Sequence, residues 1–126
     1  MNKNELVKLI NSLNIDKEEF WVLSSSALVL RGIYQDAGDL DIGVSLKGLE
    51  QLKAQFELKQ KDNGWYIVND KVECVLDDKD VEKVGDINVE NINRYYNYLL
   101  QSNREKDKKR IPLIEKYIKT KKDKIR

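Results

Sequence analysis

Apolar residues recur along this chain with two periods, one typical of helices and one typical of strands. Apolar positions three and four residues apart indicate amphipathic helices, while alternating or short continuous apolar runs between turn residues indicate strands. The predicted helices cover residues 3–14, 26–33, 46 to about 56, 91 to about 101 and 104 to about 122. The predicted strands cover residues 20–23, 39–44, 57–61, 65–68 and 72–76. Residues 77–90 are acidic and turn-rich, and their pattern assigns no element.

Local signals predict how these elements begin, end and connect. Asn63-Gly64 is a strong hairpin signal, and it makes the last three predicted strands an antiparallel meander. Ser24 or Ser25 is the predicted N-cap of the second helix, and Ser45 that of the third. Pro112 is expected to break or kink the last helix, because proline disfavours helix in the residue before it. The resulting fold class is α+β, with a small mixed β-sheet and helices packed against it.

Composition limits the chemistry that this chain can perform. A length of 126 residues predicts a single domain over residues 1–126. The absence of a long apolar run and of a signal-peptide pattern leads us to expect a cytoplasmic protein without a membrane partner. The single cysteine, Cys74, allows no internal disulfide and is interpreted as a small core residue. There is no histidine, so catalysis would depend on carboxylates and lysines.

The net charge of +1 conceals two regions of opposite sign. Residues 1–103 carry 12 Lys/Arg and 18 Asp/Glu, whereas residues 104–126 carry 11 Lys/Arg and 4 Asp/Glu. The basic C-terminal helical segment 104–126 has two interpretations. It is either a solvated tail or a positive surface that holds nucleotide phosphates or RNA.

Two carboxylates in one predicted strand indicate a cation site. Asp39 and Asp41 alternate with Leu40 and Ile42, so the pattern predicts both acids on one face of the strand. Side-by-side carboxylates repel each other, and a bound cation relieves that repulsion most easily. Hard oxygen ligands suit Mg²⁺, which is the expected metal.

The stretch Phe20–Val44 resembles the nucleotidyltransferase superfamily, which has a DNA-polymerase-beta-like fold. It looks most like the minimal nucleotidyltransferases and AbiEii-type toxins, which run as apolar strand, Gly-Gly-Thr-Ala-Leu, helix and Asp-Leu-Asp. Here Ser24-Ser25-Ser26-Ala27-Leu28 stands in the Gly-Gly-Thr-Ala-Leu place, and Asp39-Leu40-Asp41 follows at the family's spacing. Both turn glycines are therefore serine. Serine stays small and adds a hydroxyl donor, so it can still contact a phosphate.

The resemblance implies roles for particular residues. The family has a third carboxylate on a later strand, and Glu73 matches it by order and context, although an acid on a strand can also face solvent. Asp39, Asp41 and Glu73 would then be the catalytic residues and would hold two Mg²⁺ ions. The nucleotide-binding residues would be Ser24, Ser25 and Ser26 of the turn, together with Lys106 and Arg104. These two basic residues belong to Arg104-Glu105-Lys106-Asp107, which is similar to the Arg-x-Lys-Asp that opens the family's C-terminal helix. The alternative interpretation of this motif is a solvated charged face of the helix.

The activity that the resemblance implies is transfer of a nucleoside monophosphate from a nucleoside triphosphate to an acceptor hydroxyl. The acceptor is open between a small molecule, a protein and RNA, and the oligomeric state is also open. One alternative is a catalytically degenerate protein of the same fold, acting as a binding or antitoxin-like partner; the serine replacements favour it and the three acids argue against it. Another is a nucleic-acid-binding module that uses the basic end with Tyr95, Tyr96 and Tyr98, although these tyrosines fit core spacing better.

Overall fold

The protein has an α+β fold, as the sequence predicts. The computed structural model describes residues 1–125, with side chains as far as residue 121. Within that range the helices are α1 (Lys3–Ser12), α2 (Ser24–Leu30), α3 (Leu46–Lys53), α4 (Ile92–Gln101) and α5 (Glu105–Ile125). The strands are β1 (Phe20–Leu23), β2 (Leu40–Val44), β3 (Lys59–Gln60), β4 (Tyr66–Ile67), β5 (Val72–Leu76), β6 (Val81–Val84) and β7 (Ile87–Glu90).

The strands form one mixed sheet in the order β3-β4-β5-β2-β1-β7-β6. β1 runs antiparallel to β2, whereas β2 and β5 are parallel and β3, β4 and β5 form the expected antiparallel meander. The sheet is larger than predicted, since residues 77–90 contribute the hairpin of β6 and β7. The missed signal is the turn Gly85-Asp86 between two short runs that contain valine and isoleucine, where Gly85 has a φ of 64°.

The hydrophobic core lies between one face of the sheet and the first three helices. Alternation along β2 turns Leu40, Ile42 and Val44 to this face, while Val72 and Cys74 do the same on β5. Buried side chains of α1, α2 and α3 complete the cluster. Cys74 is fully buried, which confirms its interpretation as a core residue. Burial, followed by the nearby Glu73 charge, raises the pKa of its thiol to about 11.

Asp41 of β2 and Glu73 of β5 lie on the opposite face of the sheet. On this face Trp21 of β1 lies directly across from Gly43 of β2. A Cβ atom on Gly43 would overlap the indole of Trp21, so the ring occupies the space that the missing side chain leaves. The indole Nε1 donates a hydrogen bond to Asp77 Oδ2 at 2.9 Å. This packing fixes the sheet surface beside Asp41.

Two predicted helix boundaries differ from the structure, and one agrees with it. Ser45 is the N-cap of α3, since its Oγ accepts a hydrogen bond from the Gly48 N–H. The prediction of a serine N-cap for α2 is wrong, because that helix begins at Ser24 and Leu23 is its N-cap without a side-chain bond. Of the break or kink expected at Pro112, the break is absent, since α5 continues through it; a kink stays a prediction. Ile114, one half-turn further on, is fully buried, and such packing outweighs the weak helix propensity of proline.

The chain divides into two compact units, Met1–Glu90 and Asn91–Arg126. The first unit contains the whole sheet with α1, α2 and α3, and the second contains α4 and α5. The single domain expected over residues 1–126 stays a prediction. Within residues 1–125, no helix combines the length and apolar character required to cross a membrane.

Candidate functional site

Two of the predicted acids are neighbours on adjacent strands. Asp41 pairs with Glu73 in the parallel register of β2 and β5, and with Leu23 in the antiparallel register of β1 and β2. Directly paired residues point to the same face, and neighbouring strands lie about 4.8 Å apart. Asp41 and Glu73 therefore stand side by side on the face opposite the core. We call these two residues the acidic pair.

The third predicted acid, Asp39, precedes the residues that pair in the β2–β5 register. It occupies a bend immediately before β2 and is exposed, so it is not part of the strand that was predicted to carry it. Its backbone carbonyl accepts a hydrogen bond of 2.5 Å from the Oγ of Ser26, which is itself buried. Within residues 1–125, no three or more His, Cys, Asp or Glu side chains are grouped closely enough to hold a metal ion. The site of two Mg²⁺ ions thus stays a prediction, with two of its three acids brought together.

The three serines Ser24, Ser25 and Ser26, which we call the serine turn, form the first turn of α2 at the same end of the sheet. Leu23, the last residue of β1, is paired with Asp41, and Ser24 follows it directly. Ser24 has a φ of 57°, in the left-handed region that favours glycine and costs other residues roughly 1–2 kcal/mol. In the family pattern this position is a glycine. Ser24 and Ser25 are partly exposed, while Ser26 is buried with its hydroxyl directed to the Asp39 carbonyl.

Lys61 is a residue of this site that the sequence analysis missed. Its Nζ lies 2.9 Å from Glu73 Oε1, and the two side chains are 39% and 32% exposed. Ile67 pairs with both Glu73 and Lys59, so Lys59 lies on the face of the acidic pair, and Lys61 follows it two residues later. The observed register depends on a three-residue loop over residues 62–64, since Gln60 pairs with Tyr66 and the Lys61 N–H donates to the Trp65 carbonyl. A two-residue Asn63-Gly64 turn would shift this pairing by one residue and turn Lys61 to the other face, so the hairpin signal alone does not locate Lys61.

The two basic candidates of the second unit differ in their surroundings. Arg104 donates two hydrogen bonds to Asp107, at 2.8 Å from Nε and 3.1 Å from Nη2. Asp107 is fully buried and also accepts a 2.6 Å bond from Ser102 Oγ. The Arg104 hydrogen bond is the main cause of a lowered pKa at Asp107, and Asp107 in turn raises the pKa of Arg104. Lys106 is exposed. Nucleotide binding by Arg104 and Lys106 stays a prediction.

The tyrosines of α4 do not form an exposed stacking surface together. Tyr95 is buried, and its hydroxyl accepts a 2.7 Å hydrogen bond from Arg110 Nη1. Tyr96 donates to Glu115 Oε2 at 2.7 Å. Tyr98 is 54% exposed, and its ring stacks on that of Tyr95 with centroids 6.1 Å apart. Burial of Tyr95 agrees with core spacing and weakens the idea of a base-stacking platform.

An open cleft of about 310 Å³ lies at the other end of β2 and β5. It is lined by Val44, Ser45, Leu46, Leu76, Asp77 and Asp78. This cleft is separated from the acidic pair by the length of the strands. The resemblance to nucleotidyltransferases assigns it no role.

Comparisons with protein-family models, curated proteins and solved structures found no match to this chain. The functional assignment therefore depends on the residues of the acidic pair, the serine turn and their surroundings.

Proposed function

We propose that this chain is a metal-dependent nucleotidyltransferase with a nucleotidyltransferase-like fold. It transfers a nucleoside monophosphate from a nucleoside triphosphate to an acceptor hydroxyl. The observation that carries the proposal is the meeting of the serine turn with the acidic pair at one end of the sheet. The left-handed Ser24, in a place where the family has glycine, supports the same assignment. Backbone strain of this kind often marks functional sites.

The reaction places specific demands on these residues. An acceptor oxygen attacks the α-phosphorus of the triphosphate, the bond from that phosphorus to the bridging oxygen breaks, and pyrophosphate leaves. Asp39, Asp41 and Glu73 offer the hard carboxylate oxygens that suit Mg²⁺, which would neutralise charge on the phosphates when bound. Glu73 would accept the proton of the acceptor hydroxyl. Serine hydroxyls and the first amides of α2 would donate to phosphate oxygens.

A second candidate function is a catalytically degenerate protein of the same fold that binds a partner. The ion pair between Lys61 and Glu73 favours this alternative, since it already provides Glu73 with a positive charge. Both family glycines are also replaced, by Ser24 and Ser25. Such a protein would bind its partner, for example in an antitoxin-like role, without requiring metal or nucleotide.

Thermal unfolding with ligands separates these two functions. The change is Asp39→Asn with Asp41→Asn, which removes two negative charges while keeping side-chain size. We expect Mg²⁺ with the correct triphosphate to raise the Tm of the parent. A triphosphate concentration of one hundred times its Kd would stabilise the folded state by about 2.7 kcal/mol. The double variant should lose that rise, and its stability without ligand should stay the same or increase, because carboxylate repulsion is removed.

Glu50→Gln with Glu57→Gln is the matched control, because it removes two exposed charges from the same unit outside the site. This control should keep the ligand-dependent rise in Tm. Release of pyrophosphate in the presence of candidate acceptors provides the activity measurement. If no triphosphate shifts the Tm of the parent at millimolar concentration, the enzyme proposal fails in favour of partner binding.

A further inference from the structure

We infer that Lys61 is an exchangeable counter-ion: it holds Glu73 in the ligand-free site and transfers to a triphosphate oxygen when Mg²⁺ and nucleotide bind. This inference rests on the proposed function and adds a nucleotide-contacting residue to it. Lys61 lies outside the segments that carry the family resemblance. It is identified here by its ion pair with Glu73 alone.

Lys61 compensates charge repulsion within the acidic pair. Asp41 and Glu73 are directly paired across two parallel strands, and like charges in that relation destabilise a sheet. The Nζ of Lys61 at 2.9 Å from Glu73 Oε1 places a positive charge at this point. Without metal, Lys61 therefore offsets part of the repulsion that the acidic pair creates.

The ion pair between Lys61 and Glu73 is held weakly enough to exchange. Both side chains are about one third exposed, and ion pairs at such exposure contribute little to stability. A lysine ammonium is a compact charge on a flexible four-carbon chain, so it can change partners at small cost. Asp107 contrasts with Glu73, since it is fully buried and bonded by both Ser102 and Arg104.

Binding of metal and nucleotide changes the charge balance around Lys61. A Mg²⁺ ion that binds the acidic pair competes with Lys61 for Glu73, because two cations cannot approach one carboxylate oxygen without repelling each other. A triphosphate that arrives with the metal provides new negative charge for the displaced ammonium. Lys61 should therefore oppose binding of Mg²⁺ alone and favour binding of Mg²⁺ together with nucleotide. A lysine whose only role is to hold the β3–β4 hairpin against β5 would produce neither effect.

The test compares Lys61→Met with the parent and with Lys8→Met, each in the whole 126-residue chain. Lys8 is exposed on α1, which packs on the core face, so its removal matches the change in charge away from the site. We expect Lys61→Met to bind Mg²⁺ alone about two- to fivefold more tightly in calorimetry, and the Mg²⁺ complex of the triphosphate more weakly by a similar factor. Lys61→Arg should restore nucleotide affinity toward that of the parent, and Lys8→Met should behave like the parent.

The outcomes distinguish this inference from the proposed function. Unchanged affinities in Lys61→Met, in a parent that binds both metal and nucleotide, would overturn the role of Lys61 and leave the proposed function intact. A parent that binds neither Mg²⁺ nor any triphosphate would overturn both. Circular dichroism melts of each variant establish that the chain is folded at the temperature of the titration. If Lys61→Met is unfolded there, Lys61→Gln takes its place with the same expected pattern.

Discussion

Glu73 in the sheet and Asp107 in the helical unit are both carboxylates with a basic partner, yet their surroundings differ. Asp107 is fully buried and accepts hydrogen bonds from Ser102 and from two nitrogens of Arg104. Glu73 is 32% exposed, bonds to Lys61 and stands beside a second acid, Asp41. A carboxylate whose oxygens are satisfied by protein donors stabilises the fold. A partly exposed carboxylate next to another acid can exchange its partner for a ligand.

The largest expected effect comes from Asp107→Asn. The substitution removes the charge that Arg104 binds and weakens three hydrogen bonds to a buried group. We expect the free energy of unfolding to fall by about 2 kcal/mol. Urea unfolding followed by circular dichroism at 222 nm measures it. Glu105→Gln, an exposed change in the same first turn, is the control; equal stability of the two variants would mean that Asp107 is not a structural carboxylate.

The decline in the free energy of unfolding at acid pH provides a second test of Asp107. The pKa of Asp107 is lowered from its ordinary value of 3.8, chiefly by the Arg104 hydrogen bond. Its contribution is therefore complete above about pH 4 and is lost as the pH falls through the lowered folded-state pKa. Asp107→Asn should flatten the decline in stability below pH 4. Glu18, whose pKa is lowered to about 2 by Lys83, Lys79 and Asn88, titrates in both proteins and cancels in the comparison. Parallel curves for the two proteins would contradict this assignment.

A smaller effect is expected at the turn beside the acidic pair. Ser24→Gly relieves a left-handed backbone and should raise the free energy of unfolding by roughly 0.5–1 kcal/mol, after the entropic cost of glycine. Ser25→Gly is the matched variant, because Ser25 lies in α2 without a positive φ and should lower stability by about 0.5–1 kcal/mol. Chemical denaturation of both variants gives the comparison. If Ser24→Gly destabilises as much as Ser25→Gly, the turn is not strained.

The smallest effect is expected for Glu73→Gln, and it is the sharpest contrast with Asp107. The substitution removes a partly exposed ion pair but also removes repulsion with Asp41. The free energy of unfolding should change by less than about 0.5 kcal/mol. The measurement is urea unfolding followed by tryptophan fluorescence, since Trp21 and Trp65 both belong to the sheet unit. A loss as large as that of Asp107→Asn would make Glu73 a structural residue and remove its place in the proposed site.

Sequence patterns predicted those elements whose signals are local. The run Phe20–Leu23 is a strand, Asn63-Gly64 closes a hairpin, and Ser45 caps α3, because each depends on residues within one turn or one strand. Strand alternation also indicated Asp41 as a candidate, and the family resemblance indicated Glu73. The hairpin over residues 81–90 was missed, since its short strands are amphipathic only weakly and its main signal is Gly85.

The sequence by itself determined the fold class and the burial of Cys74, because composition and periodicity decide which side chains leave water. It indicated the acids only as candidates, with Glu73 among them through the family resemblance. Only the tertiary structure decided which of those acids meet. Sheet register joined Asp41 to Glu73 and brought Lys61 to it across a hairpin, whereas Asp39 remained in the bend before β2. Packing likewise carried α5 through Pro112. Pairings between distant segments depend on how sheets and helices fit together as a whole, and no local window of sequence contains that information.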